Sequence, residues 1–298
     1  MQKVFVIGGT TFDHIITLPA LPQPIPQTIH TAPFHEAVGS TGTGKAVSLT
    51  KLDVPVKFYS CFGNDVFGEA IINYLNQQKV RFFYDIDPAG TERHVNLMDK
   101  DGNRISLFVT QSSENLTQNT EAIKEAINWA DCIILNIIGY CKQLAPLVAN
   151  CNKPIWTDLH DYDGINAYHQ VFINAAQFIH LSSDNLPNYK PIMQQFIDQG
   201  KKLVVCTHGK KGATALDETG QWYEQAALTN YPYVDGNGAG DSFFSGFLKG
   251  WLQQFPIQTC MQMGAVTAAL TVGSQQIVAE NLSYSNLLLE MEKNGYQL

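Results

Sequence analysis

Val234-Asp235-Gly236-Asn237-Gly238-Ala239-Gly240-Asp241-Ser242-Phe243-Phe244-Ser245-Gly246-Phe247 passes from a glycine-rich turn, through one acid, into an apolar run. Phe243, Phe244, Phe247, Leu248 and Trp251 recur at the spacing of one helix face, so the stretch predicts a turn that opens a helix. The first amides of such a helix have no partner within it, and the helix dipole favours negative charge there. Gly238 and Gly240 carry no Cβ, so a phosphate oxygen can approach the backbone closely. Asp241 falls in the first turn, beside that place. It is suited to take a proton from an attacking hydroxyl while the amides stabilise charge on a transferred phosphoryl group.

Taken alone, these residues also fit a plain loop and helix cap, with Asp241 favoured only by the dipole. The full run, Asp-Gly-Asn-Gly-Ala-Gly-Asp followed by two phenylalanines, a serine and a glycine, resembles the second signature of the ribokinase-like (PfkB) carbohydrate kinase family. Its position late in the chain fits as well. The resemblance implies Asp241 as catalytic base, with Gly238, Ala239 and Gly240 forming an anion hole. It implies a three-layer α/β/α fold with a mainly parallel sheet and a small β-strand lid, as one domain over residues 1–298. It also implies ATP with Mg²⁺ as phosphoryl donor and a sugar or sugar phosphate hydroxyl as acceptor. A nucleoside kinase of the same fold and a non-catalytic sugar- or nucleotide-binding relative are the alternatives.

Composition narrows the rest. A chain of 298 residues with ordinary apolar content has room for one large α/β domain or two modest ones. A net charge of −8 and the lack of a basic run argue against a nucleic-acid partner. The run Val4 to Ile7 is too short for a signal peptide, and no stretch approaches the length of a membrane span. Cys61, Cys132, Cys141, Cys151, Cys206 and Cys260 form no C-x-x-C pair, so buried thiols in a reducing cytoplasm are expected.

From the amino terminus, Lys3 to Gly9 reads as a buried strand ending in a glycine turn. Asp13 then lies at a strand end, where open α/β sheets place their ligand crevice; a turn-forming role suits it equally. The resemblance makes Asp13 a ligand for substrate hydroxyls. The prolines at 19, 22, 24, 26 and 33 forbid a helix. Ile15, Ile16, Ile29 and Phe34 suggest short strands of a flap. Arg93 to Asp99 and Arg104 to Val109 flank Lys100-Asp101-Gly102-Asn103, a strong hairpin signal. The lid segments are therefore placed at about 14–37 and 92–110. In the family, such lids often pair with a second subunit, so a homodimer through the lid is expected.

Gly39-Ser40-Thr41-Gly42-Thr43-Gly44-Lys45-Ala46 has the outline G-x-x-x-x-G-K of a P-loop. Ala46 replaces the Ser or Thr that would hold Mg²⁺, and the residues before Gly39 make a poor strand, so that reading is rejected. The segment instead resembles the first glycine signature of the family, which contacts the sugar; Gly39, Ser40, Thr41 and Gly42 then fall among the substrate ligands. Ser40 stands where a second glycine is usual, and Gly44 where an asparagine is usual. Lys45 could pair with a carboxylate or phosphate on the substrate, or with a nearby acid. Asp65 reads as a helix cap.

Further on, helix and strand alternate as a parallel sheet demands. A helix over 139–150 is expected to break near Pro146. Asp158 and His160 stand where D-x-N is usual, and the N-x-x-E motif of many relatives is missing near Asp184 and Asn185. Thr207, Gly209 and Gly212 match a T-x-G-x-x-G turn that borders the nucleotide, to which Asn237 is also assigned. The resemblance leaves Asp235 as the candidate for a monovalent cation such as K⁺. Phe12, Phe34 and Phe108 are candidates for an aromatic clamp on a nucleoside.

Overall fold

The computed structural model describes residues 2–30, 32–99 and 104–297. Strand β1 (Val4–Ile7) has all four residues fully buried. Val4 and Val6 pack into one core, and Phe5 and Ile7 into another on the opposite face. A strand apolar on both faces needs a covering layer on each, which is the condition of a parallel sheet between helices.

The chain then leaves that sheet through β2 (Thr11–Leu18) and β3 (Phe34–Gly39). It returns through α1 (Thr41–Lys51), β4 (Val56–Phe62), α2 (Val66–Gln77) and β5 (Phe82–Ile86), and leaves again through β6 (Arg93–Asp99) and β7 (Arg104–Thr110). Alternation follows: α3 (Thr120–Trp129), β8 (Cys132–Asn136), α4 (Cys141–Ala149), β9 (Ile155–Asp158), α5 (Gln170–Ala175), β10 (Phe178–Ser182), α6 (Tyr189–Asp198) and β11 (Leu203–Thr207). A ribbon of β12 (Ala213–Asp217) and β13 (Trp222–Gln225) precedes α7 (Ala239–Leu252), α8 (Ile257–Val272) and α9 (Tyr284–Lys293).

The larger sheet has nine strands in the order β13-β12-β11-β10-β9-β8-β1-β4-β5. Neighbours from β11 to β5 run parallel, and β12 and β13 are antiparallel. Residues of α1, α2, α7, α8 and α9 fill one core and those of α3 to α6 the other, giving the three layers expected. The order reverses at β1: the chain steps to β4 on one side and to β8 on the other. Crevices for ligands open at the carboxyl ends of strands at such a point.

The smaller sheet has the order β3-β2-β6-β7 and stands over that end, reached from β1 by Gly8-Gly9-Thr10. β6 and β7 lie between residues 92 and 110, whereas β2 begins at Thr11 and β3 ends at Gly39, outside the 14–37 segment at both ends. Asp13 lies inside β2, not at the end of β1, because the glycine turn lets a second strand start at Thr11. Ile29 belongs to no strand, and the expected turn at Lys100–Asn103 lies outside the described residues. Helix α4 runs through Pro146 without a break, giving up one backbone bond. All six cysteines are unpaired, and Cys151 alone is not fully buried. Among the described residues, no helix is long and apolar enough to cross a membrane.

Asp65 caps α2 as the sequence indicates. Its Oδ1 accepts from the amides of Phe67 at 3.1 Å and Gly68 at 2.9 Å, and its Oδ2 accepts from Thr91 N at 2.9 Å. The cap thus also ties α2 to the segment leading into β6. Asp65→Ala is expected to lower unfolding free energy by about 1–2 kcal/mol; a change below about 0.3 kcal/mol in a urea titration would remove the capping role.

Candidate active site

Helix α7 begins where the sequence places it. Gly238 is its N-cap at φ 73°, a left-handed conformation that suits glycine, and a Cβ there would meet Ile277 O at 2.0 Å. The first bond of α-helical spacing runs from Ser242 N to Gly238 O at 2.9 Å. The amides of Gly240 and Asp241 precede it and are left to a ligand by helix geometry. Both residues line a cleft of about 900 Å³ that also takes in residues of both sheets.

The cleft is lined by Asp13, Ser40, Thr41, Thr207, Asn237, Gly238, Gly240 and Asp241 of the expected residues. Gly39, Gly42, Lys45, Ala239, Gly209 and Gly212 lie behind that lining. Gly39 still bears on it, because a Cβ there would stand 2.2 Å from Asp13 Oδ2. Gly209 and Gly212 shape the turn after β11 at φ 54° and 103°. Asp235 spends both oxygens on Asn237, accepting from its amide at 2.8 Å and its Nδ2 at 3.2 Å. Among the described residues, no group of three or more His, Cys, Asp or Glu is placed to hold a metal ion.

Ser40 has φ 75° and ψ 154°, a conformation nearly restricted to glycine. The usual glycine at this position is therefore a backbone requirement, which the serine meets under strain at the edge of the cleft. The P-loop reading fails on the same segment: β3 belongs to the small sheet, and Lys45 is fully buried.

Lys45 Nζ lies 2.8 Å from Asp158 Oδ2 and also bonds Asp241 Oδ1. Of the partners considered for this lysine, the structure shows nearby acids. Three elements meet there: α1 supplies the ammonium, β9 ends on Asp158, and α7 brings Asp241. The ammonium also sits 5.1 Å from the Phe244 ring centre. Burial by itself would lower the Lys45 pKa, but the charges of Asp158 and then Asp241, with hydrogen bonds to both, hold it above the usual lysine value. Burial would raise Asp158. His160, Lys45 and His180 outweigh it and hold that carboxyl well below the usual range. His180 Nδ1 stands 3.0 Å from Asp158 Oδ1, outside good hydrogen-bond alignment, so the Lys45 contact is the firmer ground for that direction.

At the other end of the cleft, the small sheet brings together groups that the sequence reading did not single out. Glu92 accepts from Ser112 N at 3.1 Å and from Ser112 Oγ at 2.5 Å, and it shares a 2.9 Å bond with His94 Nε2. His94 Nδ1 lies 3.5 Å from Asp13 Oδ1, which is buried and has no well-aligned partner. Burial, only partly offset by His94, raises the Asp13 pKa. Asn96 continues the polar face and accepts from Ser106 Oγ at 2.7 Å. The period-two placing of His94 and Asn96 on one strand was the available signal. Arg104 lines the cleft and donates to Asn237 Oδ1 at 2.9 Å, linking the small sheet to the glycine turn. Arg93 instead reaches Thr110 and the Phe67 ring. Of the three candidate clamp rings, Phe108 lines the cleft and packs on His94 at 3.9 Å. Phe12 and Phe34 pack in the cluster of His14 and Phe67.

A parallel sheet whose late helix opens with free amides beside a carboxylate is the architecture of an enzyme that moves a phosphoryl group to a hydroxyl. The chain belongs to the pfkB family of carbohydrate kinases, whose sequence pattern matches residues 1–281. It is 32% identical to an acarbose 7(IV)-phosphotransferase of Actinoplanes sp. (strain ATCC 31044 / CBS 674.73 / SE50/110), over 89% of this chain and 90% of that one. A nucleoside kinase of Methanocaldococcus jannaschii is 22% identical over 99% and 98%. The solved structure of a microbiome-derived acarbose kinase superposes with a TM-score of 0.87 at 25% identity, covering 98% of this chain and 99% of that chain. The protein is thus an ATP-dependent sugar kinase, a phosphotransferase with an alcohol group as acceptor.

A carboxyl with a depressed folded pKa contributes stability that is present above its unfolded value and lost as pH falls through the folded one. Stability should therefore decline with acid below about pH 4, and Asp158→Asn should flatten part of that decline. Urea titrations between neutral and strongly acidic pH would show it; equal slopes in both proteins would refute the assignment.

Proposed function

We propose that this kinase phosphorylates a hydroxyl of an uncharged saccharide, and that acarbose is the first acceptor to test. The observation that carries this reading is the acceptor end of the cleft. Asp13, with its unpartnered buried oxygen, and Glu92 line it together, and both are acceptors suited to sugar hydroxyls. A sugar phosphate would set its own charge against these carboxylates. Arg104 is the one arginine or lysine lining the cleft among the described residues, and it is already bonded to Asn237.

In this reading, Asp13 holds an acceptor hydroxyl, with Gly39 seating it and Ser40, Thr41 and Gly42 shaping that wall. Thr207, Gly209, Gly212 and Asn237 border the nucleotide. The acceptor O–H gives its proton to Asp241 as its oxygen bonds to the γ-phosphorus and the bond to ADP breaks. The amides at Gly238 to Asp241 hold the charge of the moving group. Magnesium enters as part of the ATP substrate. Asp161 and Asp184 line the same cleft and are the carboxylates that would hold it, which suits an ion that keeps phosphates and waters as its main ligands. The small sheet acts as a lid that excludes water, which would otherwise accept the phosphoryl group.

The same sheet pairs two copies of the chain. Phe34 on β3 and Leu107 and Val109 on β7 are about half exposed, at 56%, 50% and 55%. Apolar strand residues this exposed mark a contact surface. Leu107→Glu is expected to convert a dimer to a monomer in sedimentation; an unchanged mass would count against the lid interface. We assign the chain to the cytoplasm, in keeping with its six unpaired thiols.

The reaction is tested by ADP release over acarbose, free sugars, their phosphates and nucleosides. Uncharged saccharides should exceed their phosphates by about 100-fold in kcat/KM, in line with the cost of placing like charges together. Asp241→Asn should lower kcat by about 1,000-fold, within the range of general-base loss, with ATP affinity nearly unchanged. Near-normal turnover in that variant, or preference for a sugar phosphate, would overturn the respective part.

A further inference from the structure

We propose that Lys45 is a positioning residue for Asp241, and that Gly44 is the clearance that lets it act. The inference rests on Asp241 being the base. Lys45 is fully buried, and its side chain crosses from α1 to meet Asp241 Oδ1 and Asp158 Oδ2. A lysine is rarely buried without compensation, and here two carboxylates on separate elements provide it. Asp241 sits in the first turn of a helix, where its side chain would otherwise swing freely over the cleft mouth. The ammonium ties down Oδ1, so the acceptor proton goes to Oδ2.

Gly44 gives independent support. It lies within α1 and is not among the residues with positive φ, so its backbone does not require glycine. What requires it is Asp241: a Cβ on Gly44 would stand 2.9 Å from Asp241 Oδ2, 3.1 Å from its Cβ and 3.2 Å from its Cγ. The carboxylate reaches Lys45 only because residue 44 has no side chain. Asp158 completes the device. When Asp241 takes up a proton and becomes neutral, Asp158 remains as the counter-charge, so the reaction leaves no buried ammonium unpaired.

The competing explanation is that Lys45 merely neutralises Asp158. A double-mutant cycle separates the two. Lys45→Met should lower kcat by about 100-fold, the cost of a small misplacement of a reacting group, with the KM for ATP and saccharide nearly unchanged. In the Asp158→Asn background, Lys45→Met should cost the same factor. If its effect vanishes there, Lys45 serves only Asp158 and the proposal is wrong. Should Lys45→Met alone fail to fold, the double variant, which removes the fully buried Asp158 charge and leaves only Asp241 at the cleft, carries the comparison against Asp158→Asn. Gly44→Ala keeps Lys45 and introduces the better helix former. It should hold its melting temperature and lose kcat; unchanged kcat would overturn the clearance. Asp241→Asn run alongside keeps the two readings apart. If that variant is inactive while Lys45→Met turns over normally, only the positioning role fails. If Asp241→Asn itself turns over, the base assignment fails first.

Discussion

The constraint on which the rest depends is that a helix cannot satisfy its own first amides. Within the sheet and along the helices the backbone bonds to itself, through the parallel ladder and the turns of each helix. At the start of α7 it does not, and the protein keeps that end open by holding the helix rigidly from behind. Phe243, Phe244, Phe247 and Leu248 are buried, anchored against the sheet and α8. Trp156 on β9 packs edge-on against Phe244 and Phe247. Apolar burial along the helix thus fixes the position of polar groups at its mouth, where Asn237 bonds both Asp235 and Arg104, and Asp241 bonds Lys45.

Charge follows from this arrangement. A triphosphate invites lysines, yet this cleft is lined mostly by carboxylates, amides and hydroxyls. The buried lysine nearest the site is committed to two acids. In the proposed reading, triphosphate charge is left to backbone dipoles and to the magnesium that accompanies the nucleotide. Those dipoles are fixed before substrate arrives, so they need no reorganisation during transfer. Under the proposal, the carboxylates at the acceptor end favour a neutral, hydroxyl-rich partner.

Much of the frame was legible because it is written in local patterns. The Val4 to Ile7 run, the helix–strand alternation after Thr120, the Asp65 cap and the glycine turn before α7 each show in a few adjacent residues. What escaped depends on partners far apart in the chain. Nothing near Lys45 reveals that Asp158 and Asp241 converge on it, since β9 and α7 meet α1 only through the order of the sheet. The strain at Ser40 was hidden for another reason: a sequence carries no dihedral angle, and serine is not a residue that advertises one. Asp13 was placed at the right end of the sheet but on the wrong strand, because Gly8-Gly9-Thr10 both ends β1 and starts β2.

The departures from the usual glycine signature make sense together. With an asparagine at position 44, a side chain would occupy the space in front of Asp241, and a long cation at 45 could not draw the acid inward. With glycine there, the space is open, and a lysine can reach across it. The usual asparagine's contact with the sugar is then lost from α1. The chain instead carries a polar face on the small sheet, where His94 stands between Glu92 and Asp13 and Asn96 lies two residues on along β6. Under the proposed reading, acceptor recognition is then tied to the position of that sheet over the cleft. Arg104 joins the sheet to Asn237 in the glycine turn, so the two ends of the cleft are linked by a single hydrogen bond.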